Sequence, residues 1–148
     1  GIGWIESQRG EMLGFWSKVE EGTIPTRVTH NDTKINNILF DRQGEVLCAI
    51  DLDTVMASTS LNDFGDAIRS YANTGDEDDR DLSRVGLSLE MFRAYTEGYL
   101  SQRAKQLTDS EIDHLAFSAR YITFEQVLRF LMDYIDGDTY YKIKYRKA

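Results

Sequence analysis

The chain is poor in the residues that mark several common protein classes. It has one cysteine and one proline in 148 residues, which excludes a disulfide scaffold and a proline-rich or collagen-like chain. Two histidines, His30 and His114, stand far apart, too few and too distant for a zinc site built on His and Cys ligands. Basic residues are in deficit: 17 Lys and Arg face 25 Asp and Glu, a net charge of −8. That sign disfavours a phosphate-backbone binder, so no nucleic-acid partner is expected. No apolar run approaches the roughly 20 residues of a membrane span and no signal-peptide pattern opens the chain, so a cytoplasmic protein with no membrane partner is expected. The G-x-S-x-G, G-x-x-x-x-G-K-[ST] and G-x-G-x-x-G motifs are all missing, which removes the serine-hydrolase elbow and both glycine-rich phosphate cradles. Any phosphate handled here must be held by metal ions or by groups outside this chain.

What is present suffices for one packed domain over residues 1–148: hydrophobic residues make up 41%, with 2 Trp, 8 Tyr and 7 Phe among them. Apolar side chains at Ile2, Ile5, Met12, Leu13, Phe15, Trp16 and Val19 recur at helical spacing and predict an amphipathic helix that ends near Gly22 and Pro25. Ile38-Leu39-Phe40, the turn Asp41-Arg42-Gln43-Gly44 and the apolar run from Glu45 to Ile50 predict two short strands in a hairpin. Cys48, inside Val46-Leu47-Cys48-Ala49-Ile50, reads as a small buried hydrophobe. A short helix is expected from Leu61 to Ala72, with Asn62 or Asp63 as N-cap. The acidic run from Asn73 to Asp81 reads as a solvated loop. Long helices are expected from Leu89 to Ala104 and from Asp109 to Ile135, the second opened by a capping box of Thr108 and Glu111. The fold class is α+β and mainly helical, with a small β-hairpin between helices.

Chemistry concentrates in His30-Asn31-Asp32-Thr33-Lys34-Ile35-Asn36-Asn37 and, after the hairpin, Ile50-Asp51-Leu52-Asp53. The spacing H-x-D-x-x-x-x-N is that of a kinase catalytic loop. Phosphoryl transfer needs a carboxylate to orient the acceptor hydroxyl, a cation beside the moving group and oxygen ligands for magnesium. Asp32 supplies the first and Lys34 the second, while Asn37 and Asp51 supply the third, with Asp53 as a further metal candidate. Asp51 follows an apolar strand 19 residues after Asp32, so a hairpin can bring both carboxylates to one mouth. His30 is read as structural, fixing the loop through a hydrogen bond, and Asn36 as closing the turn. Asp63-Phe64-Gly65 spells the kinase metal-binding triplet but follows no apolar strand, so metal is assigned to Asp51 and Asp63 is read as a helix cap. His114, on a long helix, reads as an ordinary surface or half-buried side chain.

These segments resemble the aminoglycoside phosphotransferase and choline kinase superfamily, small-molecule relatives of the protein kinases. Thr29 to Asp41 and Ile50 to Met56 are similar to the N-acetylhexosamine 1-kinase branch, as are Asp63-Phe64-Gly65-Asp66-Ala67-Ile68-Arg69, Arg129 to Tyr134 and Gly137 to Tyr141. The resemblance implies an enzyme that uses ATP and Mg2+ to phosphorylate the anomeric hydroxyl of an N-acetylhexosamine. It implies Asp32 as catalytic base, Asn37 and Asp51 as metal and nucleotide contacts, and Tyr71, Arg129 and Tyr140 as substrate contacts beside Asp32. Arg129 and Tyr140 are equally readable as an internal cation–π or hydrogen-bonded pair. Against the family pattern the chain corresponds to a C-terminal catalytic lobe. The N-terminal nucleotide lobe is absent from it, and the isolated piece is expected to turn over little substrate.

Two alternatives remain open on the sequence. The acceptor is another small alcohol, such as choline, an aminoglycoside or a fructosamine, or the domain is a non-catalytic kinase-like binding module. Apolar surface left by a missing lobe is expected to favour self-association, with domain swapping through the first helix as one route.

Overall fold

The longest element, α4 (Asp109–Ile135), is started by the expected capping box. The Thr108 hydroxyl accepts the Glu111 N–H at 3.2 Å and the Glu111 carboxylate accepts the Thr108 N–H at 2.8 Å. The computed structural model describes residues 1–75 and 79–141. Its other helices are α1 (Ile2–Glu20), α2 (Ser60–Tyr71) and α3 (Leu89–Arg103). Four short strands, β1 (Arg27–Thr29), β2 (Ile38–Phe40), β3 (Val46–Ala49) and β4 (Met56–Ser58), lie between α1 and α2. The architecture is mainly helical with two small antiparallel ribbons.

Packing explains why α2 sits at the centre. Leu61, Phe64 and Ile68 form its apolar stripe and are buried with Phe15, Ile24, Ala72 and Leu115. Phe64 receives three rings from α3, Phe92, Tyr95 and Tyr99, at centroid distances of 6.5, 5.6 and 5.1 Å. On the other side α2 comes so close to α4 that a Cβ at Gly65 would meet the Ser118 carbonyl carbon at 2.7 Å. Glycine is needed there for approach, with no demand on its φ. α1 runs antiparallel to α4 through large side chains: Trp4 meets Phe124, and Phe15 meets Phe117 and Tyr121. Lys18 Nζ donates to His114 Nε2 at 2.8 Å, and Nδ1 of the half-buried His114 donates to the Ser110 carbonyl.

The ribbons and the start of α2 differ from expectation in three respects. Strand β1 pairs with β4 (Arg27 with Ser58, Val28 with Ala57, Thr29 with Met56), a second ribbon that three-residue strands are too short to announce through alternation. The expected hairpin, β2 with β3, forms around Gly44 at φ +87°, but all four residues of β3 are exposed. Cys48 is therefore an exposed thiol rather than a buried one: no second layer covers this ribbon among the described residues. The N-cap of α2 is Thr59, whose hydroxyl accepts the Leu61 N–H at 3.2 Å, rather than Asn62 or Asp63. Within the acidic run, residues 76–78 lie outside the described residues. No helix among the described residues is long and apolar enough to cross a membrane.

Candidate active site

The loop between β1 and β2 lies along one face of α2. Asp63, Asp66 and Ser70 are spaced i, i+3, i+7, so they share the face opposite the apolar stripe. Asp63 accepts the His30 N–H at 2.9 Å and the Asn31 N–H at 2.7 Å, one on each carboxylate oxygen. The Thr33 hydroxyl donates to the Asp63 carbonyl at 2.6 Å, and the Ile35 N–H donates to Ser70 Oγ at 3.1 Å. Asp63 is thus a loop anchor, correcting its reading as a cap. Its partners are backbone groups over 30 residues away, which no motif encodes.

A second set of bonds ties the loop to the segment after β3. His30 Nε2 donates to the Ile50 carbonyl at 2.9 Å, which puts the ring proton on that nitrogen. The Thr54 hydroxyl donates to the His30 carbonyl at 2.6 Å, Asn31 Nδ2 donates to the Thr54 carbonyl at 3.0 Å, and the Ile50 N–H donates to the Asn37 carbonyl at 2.9 Å. Asn31 holds φ +61°, a left-handed conformation that asparagine tolerates better than most residues.

Within this frame Asp32, Lys34 and Asn37 converge. Asp32 Oδ2 accepts Lys34 Nζ at 2.7 Å and Asn37 Nδ2 at 2.8 Å, and Asn37 Nδ2 also reaches the Asp32 carbonyl at 2.8 Å. Partial burial alone would raise the Asp32 pKa, but the hydrogen bonds from Lys34 and Asn37 and the lysine's charge outweigh it and hold the carboxyl below its ordinary value. Lys34 is pushed up in turn by its bond to Asp32. Asn37 is buried, and its amide is held by the Asp32 carboxylate and carbonyl.

Asp51 stands differently. It is exposed, takes a left-handed backbone (φ 61°, ψ 62°), and feels the charges of Asp32 and Lys34. Its carboxyl is pushed above the ordinary value, first by a hydrogen bond with Asp53 and then by that residue's like charge. Two neighbouring carboxylates can serve as oxygen ligands for a divalent cation. Magnesium takes one or two carboxylates and completes its shell with water and phosphate oxygens. Asp51, Asp53 and the Asn37 amide oxygen fit that oxygen-only pattern. Among the described residues no three or more His, Cys, Asp and Glu side chains gather into an all-protein metal cage.

The three expected sugar contacts each have a neighbouring ring among the described residues. Tyr71 ends α2 with its ring 5.3 Å from Tyr95, and burial raises its pKa. Arg129 lies 5.8 Å from the Tyr141 ring, so the internal partner is Tyr141 rather than Tyr140. Tyr140 is exposed and contacts Tyr141 at 4.9 Å. The turn carrying both tyrosines is held by Asp133, whose carboxylate accepts the N–H groups of Thr139, Tyr140 and Tyr141 at 2.7 to 3.0 Å. Among the described residues no hydrogen bond or ion pair links Tyr71, Arg129 or Tyr140 to Asp32, Lys34, Asn37 or Asp51.

A carboxylate, a lysine and a buried amide on a loop of kinase-like spacing point to phosphoryl transfer. A family model described as the phosphotransferase enzyme family matches residues 6–104. The chain belongs to that phosphotransferase family. This is the aminoglycoside phosphotransferase and choline kinase superfamily, whose members act on small-molecule substrates. The match runs from α1 to the end of α3 and includes Asp32, Lys34, Asn37, Asp51 and Asp63, while Arg129 and Tyr140 lie beyond it.

Proposed function

We propose that this phosphotransferase moves the γ-phosphoryl group of ATP to a small-molecule hydroxyl, with Asp32 orienting the hydroxyl and Lys34 neutralising the transferred group. The observation that carries this reading is the double anchoring of Asp32 Oδ2 by Lys34 and Asn37, because both bonds use one oxygen and leave Oδ1 to accept from substrate. A carboxylate kept ionised is a weak proton abstractor but a sound hydroxyl-orienting acceptor, which suits a loose transition state in which positioning supplies most of the rate. Asn37 and Asp51, with Asp53, would hold Mg2+. Magnesium, when bound, neutralises charge on the phosphates. Nucleotide-holding groups are proposed to lie in a further lobe of the enzyme, this chain being the C-terminal catalytic lobe.

For the acceptor we favour the anomeric hydroxyl of an N-acetylhexosamine. Support comes from the sequence of the two loop segments, Thr29 to Asp41 and Ile50 to Met56. The test is ADP release by the full-length enzyme with Mg-ATP and a panel of N-acetylhexosamines, choline, aminoglycosides and fructosamines. Release that depends on an N-acetylhexosamine and vanishes in Asp32→Asn supports the reading. Release driven best by an amine alcohol overturns the sugar assignment and keeps the chemistry. Turnover unchanged in Asp32→Asn overturns both.

A further inference from the structure

Outside the site, the most completely satisfied charged group is Glu111, a residue that the capping box alone does not account for. Its side chain is fully buried. Oε1 accepts Arg27 Nε at 2.6 Å and the Ser60 hydroxyl at 2.6 Å, and Oε2 accepts Arg27 Nη2 at 2.6 Å and the Thr108 N–H at 2.8 Å. Arg27 also donates to the Gln106 carbonyl at 2.8 Å. One carboxylate therefore gathers β1, the first residue of α2, the α3–α4 connection and the start of α4.

The positions of its partners give the cluster a role beyond stability. Arg27 stands three residues before His30, and Ser60 three residues before Asp63. His30 and Asp63 are themselves bonded, at 2.9 Å. The same two elements are thus joined twice, once directly through Asp63 and the loop backbone, and once through Glu111 a few residues upstream on each. Strand β1 is also paired with β4, which runs through Thr59 into α2, and the Glu111 bridge adds side-chain bonds at the Arg27 end of that pairing. The loop that starts at the end of β1 carries Asp32.

We propose that Glu111 is a positioning residue for phosphoryl transfer: bridging Arg27 and Ser60, it sets β1 against α2 and so fixes the loop carrying Asp32. The proposal rests on the reading of Asp32 as the hydroxyl-orienting group, and its test has one arm that needs no turnover. Amide hydrogen exchange of the full chain is compared between Glu111→Gln, Ser60→Ala and Leu115→Ala, the last removing core volume one turn along α4 without touching the cluster. In Glu111→Gln, exchange at the His30 and Asn31 amides rises about tenfold more than at Ile68 inside α2, and in Ser60→Ala about threefold more. In Leu115→Ala the three amides change together. Ser60→Ala keeps the Arg27–Glu111 pair and covers the case in which Glu111→Gln fails to fold.

The second arm is kinetic: kcat falls about tenfold in Ser60→Ala with KM for the acceptor unchanged, because alignment and not binding is lost. Equal exchange changes at His30, Asn31 and Ile68 in the cluster variants make Glu111 merely structural and overturn the proposal. Selective loosening of the loop with no change in kcat leaves the positioning intact and overturns the role assigned to Asp32.

Discussion

The two carboxylates of the candidate site are built in opposite ways. Asp32 sits on a loop that α2 grips through Asp63 and Ser70, and its hydrogen-bond donors hold its pKa down. Asp51 projects from an exposed segment after a ribbon that no second layer covers among the described residues, and its neighbour Asp53 holds its pKa up. Environments that drive two acids apart assign them different work. Asp32 is organised before any ligand arrives, with its charge already compensated. Asp51 lies beside the like charge of Asp53, and the proposed role for it is to hold a cation.

The largest effect should come from the gripped side. Asp32→Asn keeps the shape and removes the charged acceptor, so kcat should fall by about 10²–10⁴-fold while the melting temperature changes little, read by ADP release and calorimetry. Asp63→Ala strips two backbone N–H groups of a charged partner and should cost about 4 kcal/mol of unfolding free energy, measured by urea titration. Loss of turnover would accompany it.

Acid should undo the same half of the molecule. Burial opposes ionisation of Glu111, but the bonds from Arg27, Ser60 and Thr108 win and hold its pKa at about 2 against an ordinary 4.5. A carboxyl lowered in this way stabilises the fold above its unfolded pKa, and the contribution fades as pH falls from 4.5 toward 2. About 3 kcal/mol should be lost across that window, and Glu111→Gln should flatten that part of the stability profile. Gly65→Ala, which pushes a methyl group into the Ser118 backbone, should cost about 2 kcal/mol. On the open side, Asp53→Asn should change stability by under about 0.5 kcal/mol and weaken the dependence of turnover on Mg2+.

Much of this was legible in residue types and spacing. The H-x-D-x-x-x-x-N pattern located the cluster because phosphoryl transfer needs those groups at those intervals, and Thr108 with Glu111 located the start of α4. The family match bears out the superfamily. The anchoring by Asp63 was hidden, since its partners are backbone amides brought close only by the fold. A signal did exist: Asp63, Asp66 and Ser70 form a polar row on a helix whose other face is core, and such a row, once partly covered, requires partners. Cys48 was misread because an apolar run in a strand does not reveal whether a second layer covers it. Arg129 pairs with Tyr141 instead of Tyr140 because three N–H bonds to Asp133 hold that turn and bring the Tyr141 ring to it.

The most direct test of the contrast is a carboxyl carbon NMR titration of Asp32 and Asp51 in the ligand-free protein, repeated with Mg2+. Asp32 should titrate below the ordinary value of about 3.9 and Asp51 above it, and Mg2+ should lower the Asp51 pKa. Equal pKa values, or the reverse order, would contradict the account.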